Sequence, residues 1–151
     1  MRLNPYEADT TAYGFLYGLA RHLSRGPLDP VIRALVEVRA SQINGCAFCL
    51  GMHAEVARTK GVAQSKLDQL AGWRESSDFS GEERAALALV EEVTRVGDGN
   101  RVSDATWNAA RAAFSEDALS ALVYAIGLIQ VWNVLNVTCE VPAGLHLPQP
   151  S

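Results

Sequence analysis

The stretch 119–137 does most to narrow what this chain can fold into. A helix so apolar needs neighbours on nearly every side, and its length raises the question of a membrane span. Ser120, Gln130, Asn133 and Asn136 interrupt it and no Lys/Arg asymmetry flanks it, so the reading is a helix buried among others, with no membrane involved. A chain of 151 residues built from short helices has limited core in which to hide one such helix completely. Its remaining face is therefore expected to lie against a symmetry mate, making the protein a homo-oligomer.

Elsewhere the sequence shows almost none of the two-residue alternation of a strand, and instead a series of helix starts and stops. The expected fold class is all-α, in one domain spanning 1–151. Thr10 or Thr11 caps a helix reaching residue 23, ended by Gly26-Pro27. Asp29 at the N-cap and Pro30 at the first helical position, where a missing N–H loses no partner, open a second helix over 30–43. Asn44-Gly45, both tolerant of left-handed backbone angles, stops it and leads into a third helix over 46–60 with Gly61 as C-cap. A short helix is expected over 63–71. Ser80-Gly81-Glu82-Glu83 has the spacing of a capping box and starts a helix to about 96. Ser103 caps one to 114, and Ser115, with Glu116 and Asp117 in the first turn, starts the last, to about 139.

Charge and cysteine usage bound the function. With 13 basic and 17 acidic residues, a net charge of −4 and no Lys/Arg cluster longer than two, the electrostatic footprint of a nucleic-acid binder is missing. Residues 1–11 lack the charged-then-apolar pattern of a secretory leader, so a cytoplasmic setting is expected. There a C-x-x-C pair such as Cys46 and Cys49 points to redox chemistry or metal binding.

At about 100° per residue, Cys46, Cys49 and His53 project within a sector of roughly 60° at the start of the third helix. The two cysteines are close enough for a disulfide if the turn adjusts, and His53, at i+4 from Cys49, can take or relay its proton. The positive end of the helix and a neighbouring imidazolium both favour thiolate. Two other readings stand beside this one: cysteines that are merely small buried hydrophobes, and zinc, for which Glu37 or Cys139 would have to supply a fourth ligand. Glu37 is a surface charge by default; the Asn44-Gly45 break lets the second helix fold back so that it faces the cysteine turn.

The run Glu37-Val-Arg-Ala-Ser-Gln-Ile-Asn-Gly-Cys46-Ala-Phe-Cys49-Leu-Gly-Met-His53 resembles the core of the alkylhydroperoxidase AhpD-like proteins, within the carboxymuconolactone decarboxylase superfamily, in a single-core branch. Leu70-Ala-Gly-Trp73-Arg74, the acidic helix after Ser80, and residues 131–137 are similar as well. The resemblance implies an all-helical trimer or hexamer that reduces hydroperoxides through the dithiol, without a cofactor, as a peroxiredoxin-type enzyme re-reduced by an external dithiol. It assigns Cys49 as the attacking cysteine, Cys46 as its resolving partner, and His53 with Glu37 as proton relay. AhpD itself has its relay Glu twelve residues before the first cysteine, where this chain has Ala34; Glu37 lies nine before it. AhpD also has a His before the second cysteine, where this chain has Phe48, so the relay here is shorter. As a relay group, Glu37 is expected to affect rate and contribute little to stability. The superfamily name also invites decarboxylation of a carboxylated lactone, which needs no C-x-x-C; a zinc-stabilised oligomeric module is the reading without redox activity.

Overall fold

A computed structural model describes residues 1–147. The elements are α1 (Pro5–Ala8), α2 (Thr10–Ser24), α3 (Pro30–Asn44), α4 (Ala47–Thr59), α5 (Gln64–Asp68), α6 (Gly81–Thr94), α7 (Asp104–Ala113) and α8 (Glu116–Thr138), with single 3₁₀ turns at Leu70–Gly72 and Val96–Asp98. No strand occurs among the described residues, so the protein is all-α.

The caps follow the local chemistry of the chain. Asp29 accepts from the Val31 and Ile32 amides, with Pro30 at the first position of α3. Ser80 and Glu83 make both hydrogen bonds of the capping box: the Ser80 hydroxyl accepts from the Glu83 amide at 3.2 Å, and the Ser80 amide donates to the Glu83 carboxylate at 2.7 Å. Two expectations change. The cap of α2 is Asp9, whose carboxylate accepts from the Ala12 amide, because Thr10 is already helical. The four-residue α1, which carries no periodic signal, forms before it with Asn4 as cap.

Helix α3 is the hub, packed most extensively on α6 and then on α4 and α8. Leu35, Leu87, Leu122, Ile126 and Ile129 from α3, α6 and α8 are fully buried where these helices meet. Each such side chain contributes about 1.5–3 kcal/mol by leaving water. Glu91 of α6 ties the loop after α5 to this centre. Its buried carboxylate accepts from Arg39 Nε at 2.8 Å, from Trp73 Nε1 at 3.0 Å and from Arg74. Arg39 and the Trp73-Arg74 pair therefore act in structure, away from the cysteines.

Helix α8 has the length and composition of a membrane-crossing helix, yet its amide side chains are partnered inside the fold. Gln130 donates to Thr94 Oγ1 and accepts from Asn44, and Asn133 donates to Ser41. The helix is less enclosed than its composition predicts: 44% of its apolar window is buried, while Val123, Tyr124, Val131 and Val134 stand exposed along one stripe.

Candidate active site

Helix α4 begins at the dithiol. Cys46 is the N-cap in extended backbone, and its sulfur accepts from the Cys49 amide at 3.2 Å, the role usually taken by a Ser or Asp oxygen. Cys46 and Cys49 form a disulfide with Cα atoms 5.3 Å apart, and they are 2% and 0% exposed. The positive end of α4 lies at the same place, and the pair is enclosed by the apolar groups around it.

The turn before α4 decides what faces this pair. Gly45 takes the left-handed conformation (φ 66°) that closes α3. Asn44 donates to Gln130 Oε1 at 2.7 Å and Asn133 Oδ1 at 2.9 Å, which pins the turn to α8. A single continuous helix would have put Glu37 on the side opposite the cysteines. Folded back, α3 brings Glu37 Oε2 to 3.1 Å from Nδ1 of His53. That is an ion-pair distance without the alignment of a hydrogen bond, and Nε2 of the imidazole is buried with no hydrogen-bond partner among the described residues.

Arg33, one turn before Glu37, donates from Nε to Oε1 at 2.8 Å and from Nη1 to the Ala20 carbonyl at 3.3 Å. Burial pushes the Glu37 carboxyl up, but His53 and Arg33 together outweigh burial and hold it below the usual carboxylate range. Glu37 is thus a buried, paired anion and not a surface charge. Removing it would leave a mostly buried guanidinium with the Ala20 carbonyl as a remaining partner, which argues for a part in stability as well as in the site. Arg33 was legible as an i, i+4 partner of Glu37.

From the other side α8 supplies Asn136. Its Nδ2 donates to Cys49 Sγ at 3.3 Å, and its Oδ1 accepts a short hydrogen bond from the Tyr6 hydroxyl. Burial lifts the Tyr6 phenol to about 12, with the bond to Asn136 working the other way. Nothing in the sequence pointed to Tyr6, which lies 130 positions from its partner. Tyr6, Tyr13 and Trp132 pack edge-on and tilted around the disulfide, with Phe48, Cys139 and Val141 in the same cluster.

A cavity of about 400 Å³ opens beside this cluster, walled by aromatic and aliphatic groups from α2, α3, α4 and α8. Tyr13, Tyr17, Phe48 and Trp132 line it, and so do Glu37, His53 and Asn136; the two cysteines do not. The site residues read from the sequence therefore fall into two pairs, the disulfide and the Glu37–His53 contact, with only the second reaching the cavity wall. Cys139 is a buried free thiol. As for zinc, the Glu37 carboxylate is turned to Arg33 and His53, and among the described residues no group of three His, Cys, Asp or Glu is placed to hold a metal ion.

Known proteins share this arrangement of helices. A structure from Agrobacterium tumefaciens, of unknown function and described as a candidate antioxidant defence protein AhpD, superposes with a TM-score of 0.90 at 30% identity, covering 96% of this chain and 99% of that one. An uncharacterized peroxidase-related protein from Silicibacter has the same fold, with a TM-score of 0.81 at 16% identity over 94% of this chain and 75% of the other. In sequence, the uncharacterized YdfG of Bacillus subtilis is 31% identical over 136 residues, which is 90% of this chain and 92% of YdfG. The uncharacterized YnjA of Escherichia coli is 35% identical over 119 residues, and the match spans 64% of its length. The profile of the carboxymuconolactone decarboxylase family matches residues 9–92. With more than half of the chain matched by that profile, the protein belongs to the carboxymuconolactone decarboxylase family, among its AhpD-like members.

Proposed function

We propose that the protein is a thiol-dependent peroxidase that reduces organic hydroperoxides with its Cys46–Cys49 dithiol. One observation carries the reading: a vicinal disulfide-forming pair at a helix start lies beside a carboxylate–imidazole pair that reaches an apolar cavity. The Glu37 carboxylate, 3.1 Å from Nδ1 of His53, favours the proton on that nitrogen by its charge, which leaves Nε2 to take the proton of Cys49. The thiolate attacks the near peroxide oxygen, the O–O bond breaks, and the leaving alkoxide takes a proton to become the alcohol. Cys49 is now a sulfenic acid; Cys46 displaces its hydroxyl as water and the disulfide forms. Hydroperoxide plus dithiol thus gives alcohol, water and disulfide, and an external dithiol returns the two electrons.

The aromatic walls of the cavity suit a hydroperoxide with an apolar body. Decarboxylation of a lactone leaves the dithiol without a role. A cytoplasmic setting, where thiols are kept reduced, suits a disulfide that must be reopened in each cycle. The reading includes a homo-oligomer, trimer or hexamer, in which the exposed stripe of α8 lies against a second copy.

The test is a count of free thiols before and after one equivalent of an organic hydroperoxide, with mass spectrometry of the linked peptide. The expected result is the loss of two thiols per chain, with Cys139 left free. Loss of one thiol, or of none, refutes the reading.

A further inference from the structure

The hydrogen bond from Asn136 to Cys49 has no part in the Glu37–His53 relay, yet it is made by a side chain whose orientation is itself determined. An Asn amide has a donating NH₂ end and an accepting C=O end, and half a turn about its last bond exchanges them. Here the Tyr6 hydroxyl occupies Oδ1, so the NH₂ end is left on Sγ at 3.3 Å. A sulfur that receives an N–H donor is favoured without its own proton. Asn136 and Tyr6 are 3% and 1% exposed, so both bonds are largely shielded from bulk water although both residues border the cavity. Burial keeps the proton on Tyr6, whose phenol is lifted to about 12, so it remains a donor at neutral pH.

We propose that Asn136 is a catalytic residue of this site, donating to the Cys49 thiolate, and that Tyr6 is the positioning residue that holds the amide in its donating orientation. This rests on the reading of Cys49 as the reacting thiol. It also gives the N-terminal segment a task. Tyr6 stands on the short α1, which is tied back by the Arg2 amide donating to the Cys139 carbonyl at 2.8 Å, so residues 2–8 complete the site instead of merely covering it. The donor raises the share of Cys49 present as thiolate before peroxide arrives, and it costs some intrinsic nucleophilicity, since a less basic thiolate attacks more slowly.

The readout is the ionisation of Cys49, followed by thiolate absorbance against pH in a Cys46→Ser, Cys139→Ser background, with the Cys49→Ser chain subtracted. The other titratable or charged groups of this cluster and cavity are Tyr6 of α1, Tyr13 and Tyr17 of α2, Arg33 and Glu37 of α3, His53 of α4 and Lys60 at its end, and all but the tested residue stay constant between variants. Asn136→Ala should raise the midpoint by about one pH unit, roughly tenfold less thiolate below it. The near-isosteric Asn136→Asp should raise it further, because its carboxylate repels the thiolate. Tyr6→Phe should shift it the same way by a smaller amount, since it frees the amide to rotate.

An unchanged midpoint in folded Asn136→Ala and Asn136→Asp overturns the proposal. If the Ala variant does not fold, Asn136→Asp and Tyr6→Phe decide by the same criterion. A shift with both Asn136 variants but none with Tyr6→Phe overturns the positioning role of Tyr6. If the unmodified protein consumes no hydroperoxide while the midpoints still shift, the peroxidase reading fails and the assignment of Asn136 as thiolate donor stands.

Discussion

Replacing Glu37 by Gln changes charge at nearly constant shape and separates relay from stability. The Arg33 and Glu37 side chains are 16% and 10% exposed, so solvent screens their pair far less than a surface bridge. Removing one partner of a buried pair outright costs about 3–5 kcal/mol. Gln keeps an oxygen for Arg33 Nε, so the loss is the difference between a charged hydrogen bond and a neutral one together with the lost charge attraction to the Arg33 guanidinium, about 2 kcal/mol. At this chain length each kcal/mol moves Tm by about 2–4 °C, which gives a drop of roughly 4–8 °C at neutral pH. The pH dependence has a definite sign. The folded-state pKa of Glu37 is held below its unfolded value, so its contribution is fully present above the unfolded value, about 4.3, and is lost as pH falls through the folded one. Wild type and Glu37→Gln should therefore differ most near neutrality and converge below about pH 4. Thermal melts followed by circular dichroism across that range test this, alongside hydroperoxide consumption at neutral pH, expected to fall at least tenfold from the general acid–base range of about 10²–10⁴. Equal Tm values at neutral pH refute the pairing argument, and a lower Tm with an unchanged rate leaves Glu37 purely structural.

The cysteines should behave unequally: Cys49→Ser should abolish hydroperoxide consumption, whereas Cys46→Ser should react once and accumulate a sulfenic acid detectable by mass spectrometry. The reverse pattern would exchange their roles. On α8, Val134→Glu places a charge in the exposed apolar stripe and should lower the mass measured by light scattering, with circular dichroism unchanged. A wild-type mass near the 16.3 kDa of one chain at micromolar concentration would contradict the oligomer.

What the sequence determined by itself is what depends on neighbours within one helical turn. Asp29-Pro30, the Ser80–Glu83 box and the Asn44-Gly45 stop are each closed by groups a few residues apart, so helix type and start could be read from spacing alone. Cys46 and Cys49 are also brought together locally, though Cys46 is the N-cap of α4 and not its first helical residue: its sulfur accepts from the amide of Cys49 three residues on. Tertiary structure decided the rest. Helix α1 is too short to form on its own and exists because Tyr6 is buried against Tyr13 and Trp132 and bonded to Asn136. Whether Glu37 is a surface charge or part of the site depended on the angle between α3 and α4, which is set by Asn44 bonding to α8 some 86 residues later. The sulfur of Cys49 meets Asn136 only because α8 runs past the start of α4. Such contacts leave no periodic trace in the chain, because what brings the two groups together is the packing of apolar faces that belong to other residues.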